Sequence, residues 1–104
     1  NGDEFAEGWN FGPKDEDCKP VSWILDQMVN SWGNGASWEL DKNNNTHEAG
    51  FLKLDCSKAS NRLKWNPKWN LQLTLKSIVD WHQIYSNGGD IKKQCLKEIN
   101  TYNK

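Results

Sequence analysis

A chain of 104 residues with 36% hydrophobic content and a mean hydropathy of −0.93 has material for one modest core at most. Thirteen basic and fourteen acidic residues leave a net charge of −1, which gives no electrostatic ground for binding nucleic acid or an anionic membrane surface. No apolar run approaches the roughly 18 residues of a membrane span.

Seven Trp residues supply large apolar areas in an otherwise polar chain, so the domain is expected to lean on a partner surface. Cys18, Cys56 and Cys95 are odd in number and far apart, unlike a zinc site or a secreted disulfide framework. We expect three reduced, mostly buried thiols and a cytoplasmic protein. The chain opens Asn1-Gly2-Asp3 and its only Met is Met28, so we also expect a piece of a longer protein.

In chain order, an acidic start alternates into Trp9-Asn10-Phe11 before Gly12-Pro13, which predicts a short strand over about residues 8–11. Lys14-Asp15-Glu16-Asp17 reads as a solvated loop whose acidic charge precedes a helix start. Pro20 suits a first helical turn, and Val21, Ile24, Leu25, Met28, Val29 and Trp32 share one helical face. That helix should stop at Gly33 and turn at Asn34-Gly35 into a second strand over residues 37–41. Residues 42–50 form a polar loop containing Asn43-Asn44-Asn45 and the pair His47-Glu48.

Leu52 and Leu54 alternate with Lys53 as in a half-buried strand, and Asp55 or Ser57 can cap a short helix with Cys56, Ala59 and Leu63 on one face. Pro67 forces the chain to turn and run extended through Trp65 and Trp69. Asn70 caps the longest helix, with Leu71, Leu75, Ile78, Val79, His82 and Tyr85 at helical spacing. Trp81 is expected to be largely buried there, at a cost of roughly 3–5 kcal/mol if truncated to Ala. Asn87-Gly88-Gly89 ends this helix, and Asp90 caps a last one carrying Ile91, Cys95, Ile99 and Tyr102 in a thin stripe. Short strands with three to four helices make the expected fold class α+β.

The stretch Asp55-Cys56-Ser57-Lys58-Ala59, three residues, then Leu63-Lys64-Trp65-Asn66-Pro67-Lys68-Trp69 resembles the C-terminal signature of extended short-chain dehydrogenase/reductases acting on nucleotide sugars. Within that group, Trp9-Asn10-Phe11-Gly12-Pro13, Lys19-Pro20-Val21-Ser22-Trp23, Gly35-Ala36-Ser37-Trp38, His47-Glu48-Ala49 and the run from Leu52 to Ala59 are similar to the CDP-glucose 4,6-dehydratases. The resemblance covers nearly the whole chain.

It implies that residues 1–104 are a C-terminal substrate-binding domain. An N-terminal Rossmann domain outside the chain would bind NAD and carry the catalytic Tyr-x-x-x-Lys pair and Thr. It also implies a CDP-sugar substrate, packing against that N-terminal domain, self-association of the full-length enzyme, and a place in deoxysugar biosynthesis. The acidic residue facing the nucleotide ribose would be Glu48, with His47 beside it as the substitute for an arginine that many relatives use on the diphosphate. Lys64 stands where the family usually has Gly, so either a non-Gly residue at positive φ, with strain of order 1 kcal/mol, or a changed helix end is expected there.

Other chemistry is weaker. Ser57 and Lys58 are adjacent on a helix and point about 100° apart, so we read a cap and a solvated lysine rather than a Ser-Lys nucleophile. Tyr85 and Tyr102 lack a Lys four residues on, and no catalytic residue is assigned. His82 has no neighbouring ligand at helical spacing, and no metal site is indicated. Trp65 and Trp69 are expected to anchor the turn to the long helix. The alternative is a small carbohydrate-binding or protein-interaction module using exposed Trp residues.

Overall fold

The computed structural model describes residues 2–41 and 53–104. Helix α1 (Val21–Trp32) starts after Pro20, whose carbonyl accepts the Ile24 N–H at 3.2 Å. It stops at Gly33, which takes φ 70°, and Asn34 and Gly35 follow at φ 53° and 74° to reverse the chain. Helix α2 (Ser57–Leu63) is short, and helix α3 (Leu71–Ser86) is capped by Asn70, whose Oδ1 accepts the Leu73 N–H at 2.8 Å. Asp90 does the same for helix α4 (Ile91–Asn103), accepting the Lys93 N–H at 3.1 Å. Between α3 and α4 the backbone closes tightly: the Gly89 N–H donates to the Ile84 carbonyl at 2.8 Å, and a Cβ on Gly89 would fall 2.6 Å from the Ile84 side chain.

The predicted strands are not formed, and the α+β class is corrected: the described residues hold α-helices with two short 3-10 turns, Gly2–Phe5 and Asp15–Asp17. Residues 8–11, 37–41 and the described part of the Leu52–Leu54 stretch, Lys53 and Leu54, belong to no ladder, Leu52 lying outside the described residues, and Phe11, Leu40 and Leu54 are exposed. Alternation of apolar and polar residues reports an extended backbone, but a strand also needs the N–H and C=O groups of a neighbour. These segments are tied by side chains instead. Asn10 Nδ2 donates to the Asp55 carbonyl at 3.4 Å, and Trp38 Nε1 donates to Asp26 Oδ1 at 2.8 Å.

Helix α3 is the centre of the helical layer, packing on α1 and on α4. Leu75 and Val79, one helical turn apart, are 6% and 1% exposed, and the Gln83 side-chain amide donates to the Trp32 carbonyl at the end of α1. Ala59 of α2 is fully buried as well. Trp81, expected in the core, is only half-buried: it sits two residues past Val79 on the helix, its ring stacks on exposed Tyr85, and its Nε1 donates to Cys95 Sγ at 3.4 Å. The three thiols are unpaired and half-buried rather than mostly buried.

The molecule measures 50 × 40 × 21 Å with a radius of gyration of 17.3 Å, against about 13 Å for a compact domain of this length. Its accessible surface is 8605 Å², well above the about 6,000 Å² typical of a compact monomer of this mass. A flat, open body therefore presents its clefts directly to the surroundings.

Candidate functional site: a cleft beside helix α2

The start of α2 is set by Asp55. Its Oδ1 accepts both the Ser57 hydroxyl at 2.5 Å and the Ser57 N–H at 2.9 Å, and these two donors, the hydroxyl first, hold the carboxyl below its usual range. At the other end Lys64 takes the left-handed conformation, φ 56° and ψ 29°, as the missing glycine implied. The Lys64 and Trp65 N–H groups then both point at the Ala59 carbonyl, and the chain turns through Asn66-Pro67.

An N-terminal arm is fastened along the helix. Glu7 is hydrogen-bonded and ion-paired to Lys58 at 3.0 Å and to Arg62, while Lys58 also donates to the Gly8 carbonyl at 2.7 Å. Both cations lie over the Trp9 ring, at 4.6 and 5.1 Å from its centroid. Further on, the Phe11 ring meets Trp65 edge-on at 5.1 Å. At Gly12 the arm comes so close to the 54–56 segment that a Cβ would sit 3.3 Å from Leu54 Cδ1 and 3.4 Å from Cys56 Sγ.

The arm, the segment before α2, the helix and the Pro67 turn enclose an open cleft of about 630 Å³. That is within the size of small-molecule sites. Its lining is polar, with Ser57, Ser60, Asn61 and Asn66 around the Trp65 ring, and two charged pairs of residues facing each other, Lys14-Asp15 from the arm and Lys53 with Asp55 from the opposite wall. Lys53 Nζ reaches Asp15 Oδ2 at 3.5 Å. A smaller groove of about 290 Å³ lies between α3 and α4 beside Trp69, Trp81 and His82.

The cleft is lined by hydroxyl, amide and charged side chains. Ser57 is held by Asp55 while Lys58 turns away to Glu7 and Gly8, so the two form no dyad. Lys58, read as merely solvated, instead ties down the arm. Trp65 and Trp69 part company: Trp65 packs on Phe11, Trp69 on Tyr102 of α4 at 5.3 Å, so only Trp69 ties the turn to the helical layer. His82 is exposed against Trp81. His47 and Glu48 lie outside the described residues, but Lys53, a few residues further along the chain, stands on the cleft wall. Among the described residues no group of three or more metal-ligating side chains comes together, and no helix is long and apolar enough to cross a membrane.

Lys14, Asp15 and Lys53 went unremarked as site residues because their juxtaposition is long-range. For the arm clamp a signal did exist: Lys58 and Arg62, like charges at i,i+4 on one helix face, call for an acid from elsewhere in the chain.

Fold and cleft together define a helical segment with an open, polar cleft beside its short helix. The chain is 52% identical over 101 residues to a CDP-glucose 4,6-dehydratase of Salmonella typhimurium, a match covering 97% of this chain and 28% of that protein. It is homologous to part of a CDP-glucose 4,6-dehydratase and spans a little over a quarter of that relative's length, which substantiates the resemblance carried by the motifs. No profile of a known protein family matches the chain.

Proposed function

We propose that this chain is the C-terminal part of a CDP-glucose 4,6-dehydratase, the NAD-dependent lyase that converts CDP-glucose to CDP-4-keto-6-deoxyglucose, and that the cleft beside α2 forms part of its nucleotide-sugar pocket. The observation carrying this reading is the 52% identity along 97% of the chain. NAD would supply hydride chemistry, but the residues here do not fit it. No Gly-x-Gly-x-x-Gly run occurs, and the glycines at positive φ, Gly33, Gly35 and Gly88, follow the ends of α1 and α3. NAD binding and catalysis are thus assigned to a Rossmann domain outside this chain, against which the flat helical layer would pack. Three unpaired thiols support a cytoplasmic setting. A glycan-binding platform has less support, since Trp65 and Trp69 are half-buried against separate neighbours.

Within this reading Glu48 accepts from the ribose hydroxyls and His47 faces the diphosphate. A charge-assisted bond of this kind is worth about 1.5–3 kcal/mol, so Glu48→Gln in the full-length enzyme should weaken CDP-glucose binding roughly ten- to hundredfold. The nucleotide is remote from the reacting sugar carbons, so kcat should change little. Equilibrium binding and steady-state kinetics test this together, and unchanged affinity in both Glu48→Gln and His47→Ala would remove the loop from the site.

A further inference from the structure

We propose that Glu7 is the catch of the N-terminal arm: by gripping Lys58 and Arg62 of α2 it sets the position of the cleft wall formed by Gly12, Pro13, Lys14 and Asp15, so that an ion-pair cluster outside the cleft governs how tightly a ligand is held inside it. The grip on the arm concerns the chain itself, and its consequence for a ligand rests on the reading of the cleft as part of a nucleotide-sugar pocket.

Residues 8–14 of the arm belong to no helix or ladder, so side-chain contacts hold it in place. Toward the cleft these include the Phe11–Trp65 ring edge, the bond from Asn10 to the Asp55 carbonyl at 3.4 Å and the Asp15–Lys53 pair at 3.5 Å. The contacts at Glu7 are shorter and converge. Lys58 Nζ lies 3.0 Å from Glu7 Oε1 and donates to the Gly8 carbonyl at 2.7 Å, Arg62 reaches the same carboxylate oxygen, and both cations lie over the Trp9 ring. Lys58 and Arg62 repel each other at i,i+4 on α2 until a carboxylate stands between them. Exposed ion pairs are weak singly and gain when several charges form a network. None of Glu7, Lys58 and Arg62 lines the cleft.

Gly12 carries the grip into the cleft. A Cβ there would press on Leu54 Cδ1 at 3.3 Å and on Cys56 Sγ at 3.4 Å, so the bare main chain of the arm stands against the half-buried Cys56 thiol. An arm released at Glu7 uncovers that thiol and draws back the wall that continues through Asp15. Cys95 on α4, which accepts from Trp81 Nε1, belongs to a different part of the molecule and serves as the reference.

The test uses the full-length protein and compares the parent with Glu7→Lys, Gly12→Val and the double variant Glu7→Lys with Arg62→Glu. Alkylation of Cys56 and Cys95 by iodoacetamide is followed by peptide mass spectrometry, and CDP-glucose affinity by calorimetry. Glu7→Lys should label Cys56 about five- to tenfold faster, leave Cys95 unchanged and weaken CDP-glucose by a similar factor. Gly12→Val should do the same with every charge in place, by propping the arm off. The double variant restores an opposite pair and should return both readings to within about twofold of the parent. Cys56 labelling that is unchanged in Glu7→Lys, that rises equally at Cys95, or that the double variant fails to restore overturns Glu7 as the catch. Faster Cys56 labelling with unchanged CDP-glucose affinity overturns the link between arm and ligand. The pocket reading fails separately, if saturating CDP-glucose gives Cys56 of the parent no protection.

Discussion

Lys64 holds the left-handed conformation at the end of α2 that a glycine adopts without strain. Its side chain is exposed, so little packing is lost by removing it. Lys64→Gly should therefore raise stability by about 0.5–1 kcal/mol, read as a higher denaturation midpoint. Glu7, like Asp55, has a carboxyl pKa held below its usual value. The hydrogen bond from Lys58 lowers its pKa most, partial burial opposes this, and Arg62 adds to the lowering. A carboxyl whose folded pKa is depressed contributes stability above its unfolded value, near 4.3, and loses that contribution as pH falls from there through the folded value. The arm should thus loosen from α2 in acid, reported by the fluorescence of Trp9 beneath the two cations. In Glu7→Gln the looser state should be present already at neutral pH, and the acid transition should flatten.

At the scale of elements, α3 carries the burial. Leu75 and Val79 are its buried residues, whereas Trp81 is half-buried beside Tyr85 and Cys95. Leu75→Ala should cost about 2–4 kcal/mol through transfer and cavity effects. Trp81→Ala should cost less, about 1–2 kcal/mol, because a half-buried ring leaves a trough open to water rather than a cavity. Chemical denaturation of the pair gives the order directly, and a larger loss at Trp81 would place the core on the other side of α3. Helix α2 depends on different forces: it is fastened by the arm's charges, the Phe11–Trp65 edge and its own buried Ala59.

For the whole molecule, the flat shape and large accessible surface leave the cleft beside α2 open. The cleft brings hydroxyls, amides and opposed charges together without a paired general acid and base among the described residues. In the reading proposed above, the isolated chain should show no turnover of CDP-glucose even with added NAD, since neither a phosphate-cradling glycine run nor a Tyr-x-x-x-Lys pair is in its sequence. A coupled assay for the 4-keto product checks this, and any turnover by the pure chain would remove the division of labour between the two parts.

The helices were legible residue by residue: the apolar spacing of α1 and α3, the caps Asn70 and Asp90 and the stop at Gly33 all stand where the sequence places them, while the positive φ of Lys64 came from the family resemblance. A helix satisfies its backbone within a few residues, so spacing and caps are sufficient information. The strands failed for the converse reason, because extended residues 8–11 and 37–41 become a sheet only where another strand meets them. The cleft was out of reach in the same way. Glu7 with Arg62, Phe11 with Trp65 and Asp15 with Lys53 are each separated by a long stretch of chain, and only the tertiary structure decides which distant side chains share one surface.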